Sequence, residues 1–244
     1  MVARFDLWYH RLHMDTNEMS NKYFLPIAVV VAGLFIAGAV MWNGSRPSDS
    51  TGSPQAAPKV NVKDVKTEGN PFIGQVNAPA TIAVWGDYQC PFCKRFETET
   101  LPDIIKNYVD TGKVKVVFMD FAFLGSDSTT AALYGRSVWK LYPDTFLAWR
   151  EAMYNAQDEE QDIGFGDVAS IDKLNTTIAG IDAAKVAADV KTNGSVYEVQ
   201  MNADKAEAQK VGIGATPSFV IGTQVIQGAY PYPTFQAAID AALK

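Results

Sequence analysis

The period of the apolar residues changes once between Ala80 and Tyr108, and two cysteines stand at the change. Ala80-Thr-Ile-Ala-Val-Trp-Gly86 is a short apolar run closed by glycine, which reads as a buried strand. After Asp87-Tyr88-Gln89 comes Cys90-Pro91-Phe92-Cys93, and from there apolar residues recur at helical spacing: Phe92 and Phe96, then Leu101, Ile104, Ile105 and Tyr108. Pro91 fits the first turn of a helix, where its missing N–H costs nothing, whereas Pro102 should kink the same helix. Thr111-Gly112 ends it, and Val114–Phe121 reads as a second strand. The order of strand, cysteine-bearing turn, helix and strand predicts a βαβ unit with two thiols at the start of its helix.

The rest of the composition narrows what those thiols can do. The chain holds 2 Cys and 2 His, and both histidines, His10 and His13, precede a long apolar segment near the N-terminus. Ser–His–Asp and Cys–His catalytic groups are therefore excluded from the later part of the chain. A structural zinc site needs about four ligands and finds two thiols, so no metal is expected within one chain. The net charge of −6 falls wholly in residues 59–244, which argues against nucleic acid as a partner.

Two intervening residues let both sulfurs come within disulfide distance across one helical turn. Free N–H groups and the helix dipole favour negative charge there, so Cys90 is expected to be the more exposed sulfur with the lower pKa, and Cys93 the less accessible partner. Three plainer readings stand beside this: an inert buried pair, zinc shared across a dimer, and a structural disulfide, whose two-residue loop would stabilise little. Lys94 reads as solvated, or as a charge near the Cys90 sulfur. Asp87 is expected to be exposed in the turn or to cap the helix, and Val84 to lie on the preceding strand.

From Tyr23 to Ser45 no residue is charged, and Phe24–Trp42 reads FLPIAVVVAGLFIAGAVMW. A helix of that length spans the roughly 30 Å hydrocarbon core of a bilayer. Residues 23–42 are thus expected to be a transmembrane anchor. An uncleaved anchor is favoured over a signal peptide because the run exceeds a usual signal core. Arg4, Arg11 and Lys22 before the span, against Arg46 and Lys59 after it, lean towards a cytoplasmic N-terminus and an exported body. Residues 1–22 form a tail. Because Met19 opens a segment that begins as such anchors do, residues 1–18 are read as an upstream extension. Residues 43–58, rich in Ser, Gly and Pro, read as a flexible linker.

Residues 126–193 read as helices, with Tyr134, Val138 and Leu141 on one core-facing stripe and Phe146, Trp149 and Met153 on another. Asp158–Asp162 reads as a solvated loop. Ile181–Lys191 and Ser195–Lys210 read as two helices, Ser218–Ile221 and Gln224–Ile226 as a hairpin about Gly222-Thr223, and Pro233–Leu243 as a closing helix. N-x-S/T triplets at Asn43, Asn175 and Asn193 are taken as turn residues without glycan.

The segment YQCPFCK after a strand, with Gly214-Ala215-Thr216-Pro217-Ser218-Phe219 far along the chain, resembles the DsbA-like thiol–disulfide oxidoreductases of the thioredoxin superfamily. The resemblance runs over residues 60–244 and is strongest to membrane-tethered members. It implies an α/β thioredoxin fold with an inserted helical subdomain at about 126–193, here preceded by one N-terminal transmembrane helix. It implies Cys90 and Cys93 as catalytic residues forming the Cys90–Cys93 disulfide. In the family the proline matching Pro217 is cis and faces the motif, and the residue before it, here Thr216, pairs with an extended substrate; Pro91 and Phe92 belong to the same active-site motif. No cofactor is implied. The implied partners are exported proteins with thiols or disulfides and a membrane redox partner that recycles the pair, with the domain on the extracytoplasmic side of the membrane. Two departures stand out: Phe92 replaces the histidine that strong oxidants carry beside the second cysteine, and Val84 replaces a buried acid of several relatives. The expected activity is oxidation of exported proteins. The alternatives are reduction or isomerisation, and a non-catalytic peptide-binding adaptor, in which Phe92, Tyr230, Pro231 and Tyr232 would line a groove.

Overall fold

The computed structural model describes residues 60–158 and 165–244. The anchor at 23–42, the linker, the N-terminal tail and most of the Asp158–Asp162 loop lie outside these residues. No helix among the described residues is long and apolar enough to cross a membrane.

Five strands form one sheet in the order β1-β3-β2-β4-β5: β1 Phe72–Ile73, β2 Ala80–Gly86, β3 Val114–Asp120, β4 Ser218–Ile221 and β5 Gln224–Gln227. β2 and β3 run parallel, joined by the helix that starts at Pro91, and β4 lies antiparallel on the other side of β2. The two-residue strand β1, antiparallel to β3, has no sequence signature of its own. β2 is apolar throughout because both faces are covered. Ile82 and Val84 point into one core with Phe118, Phe219 and Phe235, while Ala83 and Trp85 point into a second with Met119, Val211 and Val220.

Helix α1 begins as Pro91–Arg95 and continues through Phe96–Thr100, Leu101–Ile104 and Ile105–Val109, the second and fourth pieces being wide π-turns. Where Pro102 supplies no N–H, the helix widens, and the Leu101 N–H bonds the Phe96 carbonyl five residues back. α2 (Ser126–Leu141), α3 (Phe146–Asn155), α4 (Val168–Asn175) and α5 (Ala183–Lys210) form a helical insertion between β3 and β4, and α6 (Tyr232–Ala242) closes the domain. Tyr134, Val138, Phe146, Trp149 and Met153 are all core residues, as their spacing predicts.

One expectation is corrected. The two helices expected over 181–210 are one, α5, which passes through Asn193-Gly194-Ser195 without a break. Asn193 turns its amide onto the Asp189 carbonyl and carboxylate one turn back, and so supports the helix. Gly194 costs about 1 kcal/mol relative to alanine, too little to end a helix docked along its length.

Candidate active site

β2 ends at Gly86, the chain turns through Asp87-Tyr88-Gln89, and Cys90 stands as N-cap of α1 with extended backbone (φ −82°, ψ 119°). No side-chain hydrogen bond closes the cap, and the sulfur of Cys90 lies near the backbone N–H groups of Phe92 and Cys93. The Cys90 carbonyl accepts from the N–H groups of Cys93 (3.0 Å) and Lys94 (3.1 Å), which locks the first turn.

The second half of the site arrives through sheet register. Trp85 on β2 pairs with Ser218, the first residue of β4, so the residues ahead of β4 reach the end of β2 where the thiols begin. The Thr216–Pro217 peptide is cis, and the Cys90 thiol donates to the Thr216 carbonyl at 3.4 Å. Pro217 enters as the residue before the strand, where its missing N–H takes nothing from the ladder. The Thr216 hydroxyl, buried and without a partner while Cys90 is a thiol, lies close enough to donate to the thiolate.

These surroundings split the two thiols. The hydrogen bond from Cys93 pulls the Cys90 pKa down to about 6, helped by Thr216 and the Cys93 and Phe92 amides and opposed by burial. Burial, and then the neighbouring Cys90, push the Cys93 thiol well above the ordinary range. Both residues are free thiols here. The expected difference in acidity is present, and Cys90 is the more exposed sulfur as expected, though only narrowly: Cys90 is 4% exposed and Cys93 2%. The Thr216 carbonyl, in the loop before β4, lies against the Cys90 sulfur.

A groove of about 620 Å³ opens beside the pair, lined among others by Phe92, Thr216, Tyr230, Pro231 and Tyr232. The four residues named from sequence for such a groove thus meet in one place. Phe92 and Tyr230 are about half exposed, apolar surface left uncovered at the mouth of the site.

The family model described as thioredoxin matches residues 66–241. Disulfide bond formation protein D of Bacillus subtilis is 34% identical over 179 residues, covering 72% of this chain and 78% of that protein. The probable disulfide bond formation protein D of Bacillus anthracis is 26% identical and covers 93% of this chain and 99% of its own length. The crystal structure of oxidised BdbD from Bacillus subtilis superposes with a TM-score of 0.67 at 28% identity, over 73% of this chain and 95% of that one. This chain belongs to the DsbA-like thiol–disulfide oxidoreductases of the thioredoxin superfamily.

Against that family's pattern the polar residues around the thiols take on meaning. Val84 is buried between Phe118 and Phe219 on the neighbouring strands, so its place holds no charge. A buried acid near the pair is Glu97, one turn of α1 beyond Cys93, where Arg150 of α3 grips it at 2.9 and 3.1 Å. Arg150 also donates to the Tyr88 hydroxyl (3.1 Å) and lies 3.8 Å from the centre of the Phe118 ring. Beside this group, Tyr154 approaches the thiols: a Cβ at Gly86 would lie 3.4 Å from the Tyr154 hydroxyl and 3.9 Å from the Cys93 sulfur.

Sequence reasoning missed Glu97 and Arg150, although a signal existed. Each is a charged residue on an apolar helical stripe, Glu97 four after Cys93 and Arg150 four after Phe146. Lys94 turns away from the sulfur and donates to the Gln157 carbonyl at 3.2 Å. Asp87, expected to be exposed or a cap, is 1% exposed. Asn175 is fully buried at the end of α4 and accepts from the Trp149 indole, and Asn193 lies inside α5, so neither is the turn residue expected, while Asn43 lies outside the described residues.

Proposed function

We propose that the protein is a membrane-tethered oxidase that passes its Cys90–Cys93 disulfide to exported proteins. The observation that carries this reading is the split between the two sulfurs, with Cys90 drawn down to about 6 and Cys93 pushed up. An environment that stabilises the Cys90 thiolate stabilises the reduced form, and a protein with a stable reduced form is a strong oxidant.

In the proposed cycle a substrate thiolate attacks the Cys90 sulfur of the Cys90–Cys93 disulfide. The S–S bond breaks, and Cys93 leaves with the electron pair and takes up a proton. A second substrate thiolate attacks the substrate sulfur of the mixed disulfide, and Cys90 leaves as thiolate. The substrate has lost two electrons, the protein has gained them, and a membrane redox partner reoxidises the pair. The low Cys90 pKa makes it a good leaving group in the second step. Thr216 and Pro217 are assigned to holding an extended substrate beside Cys90, and Pro91 and Phe92 to shaping the turn. Phe92 also offers apolar surface to the substrate.

The tether is assigned to residues 23–42, with 1–22 as tail, 43–58 as flexible linker, and the catalytic domain over 59–244 on the extracytoplasmic side. Its support is the uncharged run itself, together with the extent of the Bacillus anthracis match, which at 93% of this chain necessarily includes that run.

Equilibrating the protein with glutathione buffers and titrating the Cys90–Cys93 couple tests the direction of flow. The account expects a reduction potential nearer the roughly −120 mV of a strong oxidant than the roughly −270 mV of thioredoxin. A thioredoxin-like value would replace the oxidase with a reductase, the reading that Phe92 and Val84 favour by removing two groups that tune strong oxidants.

A further inference from the structure

Asp87 ties the thiol turn to the loop after β3. Its carboxylate is buried and accepts three backbone N–H groups: Gln89 at 2.9 Å within its own turn, and Phe123 at 2.9 Å and Leu124 at 3.2 Å in the loop after β3. Among the described residues no Lys or Arg forms a salt bridge with it. Its main chain reaches both cysteines. The Asp87 carbonyl accepts from the Cys90 N–H at 3.1 Å, and the Asp87 N–H is directed at the Cys93 sulfur.

We propose that Asp87 is a positioning residue for thiol–disulfide exchange: its carboxylate pins the Cys90 turn to the loop after β3, and this fixes the backbone groups that face the two sulfurs. The proposal rests on the reading of Cys90 as the exchanging sulfur and adds a residue that acts through it.

The chemistry sets the direction of the effect. A buried carboxylate near a thiol raises that thiol's pKa by charge alone, because two like charges in a poorly solvated place repel. If charge were all that Asp87 supplied, removing it would lower the Cys90 pKa. If Asp87 works by position, removing it loosens the turn and withdraws the amides from the Cys90 thiolate, and the pKa rises. The two roles predict opposite signs.

The test uses Asp87→Asn and Asp87→Ser. Asparagine keeps one acceptor oxygen but presents an N–H to a backbone N–H on its other side. Serine can still accept from Gln89 in its own turn but is too short to reach Phe123. In reduced protein, the pH midpoint of Cys90 alkylation is expected to rise by about one unit in both variants, with alkylation at pH 6 slowed several-fold. Val186→Ala serves as the control: it is fully buried on α5, and it should lose stability with no movement of the midpoint. A midpoint in the Asp87 variants that stays put or falls overturns the proposal, as does an equal rise in Val186→Ala. If neither Asp87 variant folds, hydrogen exchange of the wild-type protein decides, and fast exchange of the Phe123 and Leu124 amides would equally overturn it. A wild-type midpoint near an ordinary thiol's would instead sink the functional reading itself, so the two failures are distinguishable.

Discussion

At the scale of the residue, the site depends on where two sulfurs sit relative to one helix start. Cys90 has the cap position, with amides and the Thr216 carbonyl around it, and Cys93, three residues later, is sealed in the core. The Cys90 pKa of about 6 is a statement about stability as well as reactivity. An unfolded thiol titrates near about 8.5, so between pH 6 and roughly 8.5 the unfolded reduced chain binds more protons at Cys90 than the folded one. The stability this group contributes is full above the unfolded value and is lost as pH falls through about 6. Oxidised protein has no such group. Urea unfolding of both forms should therefore show the stability of reduced relative to oxidised protein rising from pH 5.5 to pH 7.5; a difference that is flat or falls over this range would contradict the assigned Cys90 pKa.

At the scale of the element, buried polar clusters join the helical insertion to the sheet. Arg136 of α2 bridges Asp120 at the end of β3 (2.6 Å) and Asp204 of α5, and Asp204 also accepts from the Asp120 N–H (2.8 Å) and the Asn70 amide (2.9 Å). Burial and the adjacent Asp120, opposed by Arg136, raise Asp204 to about 7. A carboxylate raised in the folded state loses stabilising effect as pH rises towards that value, because over that range the unfolded chain ionises freely while the folded form still holds its proton. Arg136→Met leaves the buried Asp204 carboxylate facing the partly buried Asp120 with no cation between them. It should destabilise by about 3–5 kcal/mol, and by more at pH 8 than at pH 5.5, where one proton relieves the repulsion. A loss independent of pH, read by urea midpoints at the two values, would show that the carboxylates do not share one site.

These clusters also mark where sequence reading stops. Strands β2 and β3 were legible because strands covered on both faces are continuous apolar runs bounded by glycine and turns, and the hairpin because Gly222-Thr223 separates two short apolar runs. Cys90 as helix start was legible from Pro91 and the change of period. Asp120, Arg136 and Asp204 were not, since each looks like a solvated charge until three distant elements meet. The unbroken α5 was missed for a related reason: Asn193-Gly194-Ser195 has the composition of a turn, and only tertiary docking and the Asn193–Asp189 hydrogen bonds keep it helical. The two-residue β1 is too short to carry any period at all.

At the scale of the whole molecule, the thiol pair is built by topology. Crossing through α1 makes β2 and β3 parallel and leaves the cysteine turn at the end of β2. The long helical insertion then returns the chain antiparallel on the other side of β2, in the register that lays Thr216–Pro217 against Cys90. The insertion does more than fill sequence, because Arg150, Tyr154 and Gln157 reach from it to the base of the thiol turn. Sequence carried the two halves of the site and their family pattern, whereas their meeting depends on the register of β2 with β4.

The most direct test of a thiol pair polarised in this way is alkylation of the reduced full-length protein by iodoacetamide across pH, with the modified residue identified by mass spectrometry. The account predicts that Cys90 reacts first, with a midpoint near about 6, and that Cys93 reacts slowly throughout. First modification of Cys93, or a Cys90 midpoint at the roughly 8.5 of an ordinary thiol, would contradict it.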